Sequence, residues 1–186
     1  MQVQTTILFG SARRSGATRF LVDILEAELP GTVVTLSAYD IKANPCTDCR
    51  YCWHHPACAI KDSMVRVYEV LNASDCIIVA SPMYFHSLPG PLKTLVDRCQ
   101  VYWAERLRQD GFGQRERSGA AVFVGGAPAF ERQFLGGEVV VNGLFRELHI
   151  KAVDGLRYAN TDKDPVTERL NVREDVKALV QRLQGG

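Results

Sequence analysis

The chain has no apolar run long enough to cross a bilayer. Its longest apolar-leaning stretch, "CIIVASPMYF", is too short for a membrane helix. It has no basic segment ahead of an apolar core, so "MQVQTTILFG" is not read as a secretory signal. It has no excess charge of one sign: 22 Lys plus Arg against 21 Asp plus Glu leave +1. That balance gives no argument for nucleic acid or an anionic membrane surface as a partner. The arginine-rich stretches, Arg13-Arg14 and Arg106 to Arg117, therefore read as solvated faces. No internal repeat, low-complexity tract or linker is visible. A cytoplasmic location is the expectation, and in that reducing setting structural disulfides are disfavoured.

Several catalytic signatures are missing too. No Ser/His/Asp arrangement or carboxylate pair stands out. The glycines after the first apolar run do not form G-x-G-x-x-G, and no Gly-Lys-Ser/Thr closes a phosphate loop. There is also no recognisable nicotinamide motif.

What is present is an alternation of short β-rich runs with longer segments of helical period. Strands are expected at 3–10, 32–38, 75–81, 119–126 and 150–156. Helices are expected at 17–29, 62–73, 89–108, 131–148 and 167–183. The third and fourth runs are nearly continuous in apolar residues, as central strands covered on both faces require. Strict alternation predicts an α/β, doubly wound fold with a parallel sheet. The 186 residues, 46% apolar and 23% charged, fit one domain over 1–186. A domain of that size buries roughly 70% of its unfolded surface and needs no metal or disulfide for its core. Two connections are longer than a turn: a cysteine-rich loop at 44–60 and "QDGFGQRERSG" at 109–119.

Three loops converge on one chemistry. "GSARRSGATRFLV" (10–22) leaves the first strand and opens a helix, offering the hydroxyls of Ser11, Ser15 and Thr18 with Arg13 and Gly16. Hydroxyls and free N–H groups at a helix start suit a phosphate monoester; a helix entry capped by Ser15 is the plainer alternative. After the third strand, Tyr84 and Phe85 stand in a loop behind Pro82, where a flat aromatic ligand would give them a role. Covering a helix end or a subunit interface would do so as well. After the fourth strand, "GGAP" (125–128) lets backbone approach a ligand closely. Ligands bind such sheets beyond the strand C-termini, so the three loops together describe a flavin mononucleotide (FMN) site.

The paired stretches "GSARRSGATRFLV" and "SDCIIVASPMYFHSLPGPLKTLVDR" resemble the NADPH-dependent FMN reductase branch of the flavodoxin-like superfamily, from residue 5 to about 126. The resemblance implies a flavodoxin-like, five-stranded parallel sheet in the order 2-1-3-4-5, with helices on both faces and FMN at its edge. It implies that Ser11, Arg13, Ser15, Gly16, Ala17 and Thr18 hold the phosphate. Pro82, Met83, Tyr84 and Phe85 would wrap the ring and ribityl chain, and Gly125 and Gly126 would approach the ring from the other side. Gly16-Ala17 replace a longer polar residue of the family, which removes one side-chain phosphate contact. A homodimer or homotetramer is implied as well, with loops of one subunit over the flavin of another.

"CTDCRYCWHHPAC" (46–58) packs four of the six cysteines into one loop. Its C-x2-C-x2-C-x5-C spacing and its place resemble the iron–sulfur flavoproteins within that superfamily, although "AIKDSM" follows where that group has an acidic pair after the lysine. The resemblance implies that Cys46, Cys49, Cys52 and Cys58 hold a [4Fe–4S] cluster exchanging electrons with FMN, supplied by a ferredoxin-like protein or by NAD(P)H. Compact thiolate triplets suit such a cluster, whereas zinc more often takes two separated C-x2-C knuckles. Zinc, with His54 or His55 as a further ligand, and free thiols remain open readings. Three functions follow in turn: an iron–sulfur redox flavoprotein, a cluster-free NAD(P)H-dependent FMN or quinone reductase, and a zinc or thiol sensor. Cys76 and Cys99 read as small core hydrophobes.

Overall fold

The computed structural model describes residues 3–110 and 116–185. The loop expected at 109–119 lies partly outside them.

Six strands form one parallel sheet: β1 (Gln4–Phe9), β2 (Thr32–Ser37), β3 (Cys76–Pro82), β4 (Arg117–Val124), β5 (Ile150–Ala152) and β6 (Leu156–Tyr158). The order is β2-β1-β3-β4-β5, and β6 also pairs with β4. The expected order is therefore present, with its fifth position divided in two. Between the pairs Arg117–Ile150 and Val122–Leu156, β4 advances five residues and the fifth position six. One extra residue must bulge out, as in a β-bulge. Gly155 permits it, because a Cβ there would strike the Ala121 carbonyl.

The helices are α1 (Ala17–Glu28), α2 (Met64–Ala73), α3 (Gly90–Arg98), α4 (Gln100–Arg108), α5 (Leu135–Glu147) and α6 (Val172–Gln184). They cover both faces of the sheet. Ile78 and Ala80 of β3 point into one core with Leu21 and Leu25 of α1 and Val176 and Leu179 of α6. Ile77 and Val79 point the other way, among Met64 and Leu71 of α2, Leu92 and Leu95 of α3, Tyr102 of α4 and Phe145 of α5. This two-sided burial is why the third strand reads as one unbroken apolar run.

The single helix expected at 89–108 is broken at Cys99, where ψ is 4°. The Cys99 N–H is shared between the Leu95 and Val96 carbonyls, at 3.2 and 3.0 Å. No proline or glycine stands at the break. It falls next to Arg98, the last residue of α3, whose side chain engages the cysteine loop. Among the described residues, no helix is long and apolar enough to cross a membrane.

Candidate functional site

β1 hands the chain to α1 through residues 10–16. The Gly10 N–H donates to the Ala80 carbonyl at 2.8 Å, which ties the loop to the central strand. Ser11 is buried, and its Oγ accepts from the Arg13 N–H at 3.2 Å. Gly16, not Ser15, is the N-cap of α1, and no side chain caps the helix. Ser15 is exposed. An uncapped start leaves the first N–H groups of α1 to an outside acceptor, at the positive end of the helix dipole.

That start opens on a cleft of about 330 Å³. Ser11, Arg13, Gly16, Ala17, Thr18, Pro82, Met83, Tyr84 and Gly126 line it, so nine of the twelve expected cofactor residues meet there. The other three do not line it. Ser15 faces solvent, Phe85 is fully exposed, and Gly125 is buried beneath Gln133.

The aromatic loop is a tight reversal. Tyr84 and Ser87 exchange both backbone hydrogen bonds, at 2.9 and 3.0 Å. Phe85 and His86 between them have φ of 47° and 64°. Positive φ at both central positions is the signature of a type I′ turn, which normally takes glycine or asparagine. Two bulky residues held there are strained, and strain of this kind concentrates at binding sites. The Met83 N–H donates to the Val124 carbonyl at 2.8 Å, which ties the start of the aromatic loop to the end of β4.

Val124, Ala127, Thr161 and Asp162 complete the lining. The segment after β6 is pinned over the glycine loop: Asn160 N–H to the Ala127 carbonyl (2.7 Å) and Thr161 N–H to the Gly125 carbonyl (3.1 Å). Thr161 and Asp162 were not expected from the sequence. Their one signal is position, since they follow the strand at the edge of the same sheet end.

The cysteine loop forms a second centre. Cys46, Cys49, Cys52 and Cys58 all line one small cavity of about 20 Å³, together with Trp53, Ile60 and Arg98. Asp48 and Arg50, which lie between the first three cysteines, have φ of 50° and 57°. These left-handed residues coil the backbone tightly around the cavity. Burial, with a smaller push from Cys58, Cys46 and Cys49, raises the Cys52 thiol above its ordinary value. All six cysteines are free thiols. Among the described residues, no three His, Cys, Asp or Glu side chains stand in a metal-ligating arrangement. His54 and His55 are exposed, and His55 stacks on Tyr51 with ring centres 4.1 Å apart. Cys76 and Cys99 are buried, and burial pushes the Cys99 thiol up to about 12.

Arg98 is the residue of this centre that the sequence did not single out. It is fully buried at the end of α3, and Asp62 faces it. One guanidinium nitrogen donates to the Asn44 carbonyl and to Asp62, each at 2.8 Å; the other donates to the Ile60 carbonyl at 3.1 Å. Partial burial alone would raise the Asp62 carboxyl. The Arg98 guanidinium and the N–H groups of Asn44 and Met64 outweigh it and hold the group at about 2. α3 runs from the neighbourhood of one centre to the other. Leu92, in its first turn, abuts Gly10 of the β1–α1 loop. Arg98 lies about 9 Å further along the axis, at 1.5 Å per residue.

An iron-sulfur flavoprotein of Methanosarcina thermophila is 40% identical over 83 residues, 45% of this chain and 41% of its own length. The match thus spans less than half of that relative. In three dimensions the chain is similar to Smu.1420 of Streptococcus mutans (TM-score 0.74, 16% identity, 97% of this chain and 100% of that one). It is similar also to an FMN-dependent NADH-azoreductase of Bacillus anthracis in complex with FMN (TM-score 0.66, 14% identity, 97% and 99%). At such identities these likenesses concern the fold. With residues 3–133 matching the family as a whole, the chain belongs to the NADPH-dependent FMN reductase family.

Proposed function

We propose that the protein is an FMN-dependent oxidoreductase of the iron–sulfur flavoprotein type, whose electrons come from a ferredoxin-like protein or from reduced nicotinamide. The observation that carries this reading is the pair of centres in one domain: a cleft at the uncapped start of α1 and a four-thiol cavity walled by Arg98 of α3. The cleft volume falls within the range of small-molecule sites. The donor set of the cavity fits a cubane cluster, which takes thiolates from one compact loop. Bound FMN would supply one- and two-electron chemistry, and a cluster one-electron transfer.

The chain's own part is binding and orientation. Ser11, Arg13 and the free N–H groups of Ala17 and Thr18 would take the phosphate. Met83 and Tyr84 on one side and Gly126 on the other would flank the ring. Asp162 adds a negative charge at the rim that the phosphate must avoid, which favours seating the phosphate toward Arg13. Cys46, Cys49, Cys52 and Cys58 would hold the cluster. Tyr84, Phe85, Phe130, Leu135 and Val139 are all exposed apolar residues, and such exposure favours a homodimer or homotetramer.

Absence of a ligating triplet among the described residues favours one second reading, a cluster-free NAD(P)H-dependent FMN or quinone reductase. Iron and FMN quantification on anaerobically purified protein decides between them. Brown protein with close to four irons per chain and one FMN, by the composition of such a cluster, supports the iron–sulfur reading. Yellow protein without iron leaves the reductase. Colourless protein that takes up zinc but no FMN would sink both in favour of a sensor.

A further inference from the structure

The contacts of Arg98 go beyond those of a structural strap. Its terminal nitrogens fasten the two ends of the cysteine loop, at the carbonyls of Asn44 and Ile60. Both also reach Asp62, at 2.8 and 3.3 Å. Its third nitrogen, Nε, is buried and has no hydrogen-bond partner. The side chain itself has no exposed surface and lines the cavity shared by the four cysteines. A buried N–H without an acceptor is rare enough to call for a reason, and a missing ion or ligand is one of the recognised ones. Four sulfurs line the cavity, beside the side chains of Thr47, Asp48 and Gln100.

We infer that Arg98 is a positioning residue for the cysteine centre: it fixes the loop ends through its terminal nitrogens, keeps its Nε–H for a sulfur of the bound cluster, and sets the cluster's reduction potential through its charge. This rests on the reading of the cysteines as cluster ligands. Asp62 is its counter-charge, and the two together set the local field. Cluster potentials respond to net charge, to hydrogen bonds to sulfur and to solvent exposure. A fixed charge in a low-dielectric wall acts strongly because water does not screen it.

The charge has a sign, and the sign provides the test. Anaerobic protein, its cluster followed by electron paramagnetic resonance during redox titration, is compared as wild type, Arg98→Gln, Arg98→Lys and Asp62→Asn. Removing the cation makes a reduced, more negative cluster harder to form, so Arg98→Gln shifts the midpoint to lower potential. Removing the anion shifts Asp62→Asn to higher potential. Arg98→Lys, which keeps the charge and loses Nε–H, falls between wild type and Arg98→Gln. A structural strap predicts something else, since both losses would loosen the loop and move the two variants in the same direction. FMN stoichiometry near one per chain verifies that each variant is folded. If Arg98→Gln does not fold, Asp62→Asn and Arg98→Lys still decide by the direction of their shifts. Shifts of equal sign, or none, overturn the inference while the cluster reading stands. Wild-type protein without iron overturns the cluster reading, and the inference with it.

Discussion

The carboxylate of Asp162 lies directly against Gly126, so close that a Cβ at 126 would overlap it. Gly126→Ala forces the Asp162 carboxylate and the loop apart and narrows the cleft. FMN affinity should fall about tenfold, equivalent to ~1.4 kcal/mol. Quenching of flavin fluorescence on titration reads this directly. Asp162→Ala in the Gly126→Ala background should restore part of the loss, and an unchanged Kd in the single variant would mean that the ring does not approach Gly126.

Arg13 is the cation among the residues lining the cleft. Arg13→Ala should weaken FMN by roughly ten- to a hundredfold, since a hydrogen bond to a charged group contributes about 1.5–3 kcal/mol. Riboflavin, which lacks the phosphate, should bind wild type and variant alike. Equal losses for both ligands would place Arg13 elsewhere than at the phosphate.

Tyr84 is half exposed, and its backbone hydrogen bonds do not depend on its side chain. Tyr84→Ala should leave circular dichroism and melting temperature unchanged. FMN affinity should fall several-fold, in line with the ~0.5–1.5 kcal/mol of an aromatic pair.

Phe85 holds a positive φ with its side chain fully exposed. A left-handed conformation costs a non-glycine residue about 1–2 kcal/mol. Phe85→Gly should therefore raise the melting temperature by about 2–4 °C per kcal/mol released. A fall in melting temperature, together with a smaller species in sedimentation, would instead reveal Phe85 as an intersubunit contact.

The Asp62 carboxyl stands at about 2, against an ordinary 3.8. A group whose folded value is depressed contributes stability above its unfolded value, and that contribution disappears as pH falls through the folded one. Stability in urea should then drop between about pH 4 and pH 2 more steeply in wild type than in Asp62→Asn. Parallel curves would show that the ion pair with Arg98 adds nothing to the fold.

Much of this architecture was legible in the residues. The unbroken apolar run of β3 told of burial on both faces, and Ile77 and Ile78 do face opposite cores. The cleft was legible where composition and position agreed: hydroxyls and Arg13 before a helix, Tyr84 after a strand, Gly126 after the next. Three features were hidden because they depend on long-range contacts. Ser15 looked like a cap, but the helix begins a residue later at Gly16, and no local pattern distinguishes the two. The division of the fifth strand depends on how Gly155 meets Ala121 across the sheet. Arg98 read as one more helical arginine because its partners lie 36 and 54 residues away.

Chain order suggests that the cysteine loop hangs from β2 and α2, the elements it joins. Its attachments say otherwise. Arg98 holds its two ends, Arg108 of α4 donates to the Cys52 carbonyl, and Trp53 packs on Trp103 of α4 at 5.8 Å. Mechanically the loop is upholstery on the α3–α4 pair. A protease nick within 47–57 would leave both stubs seated, and any tilt of that helix pair would carry the four thiols with it as a rigid passenger.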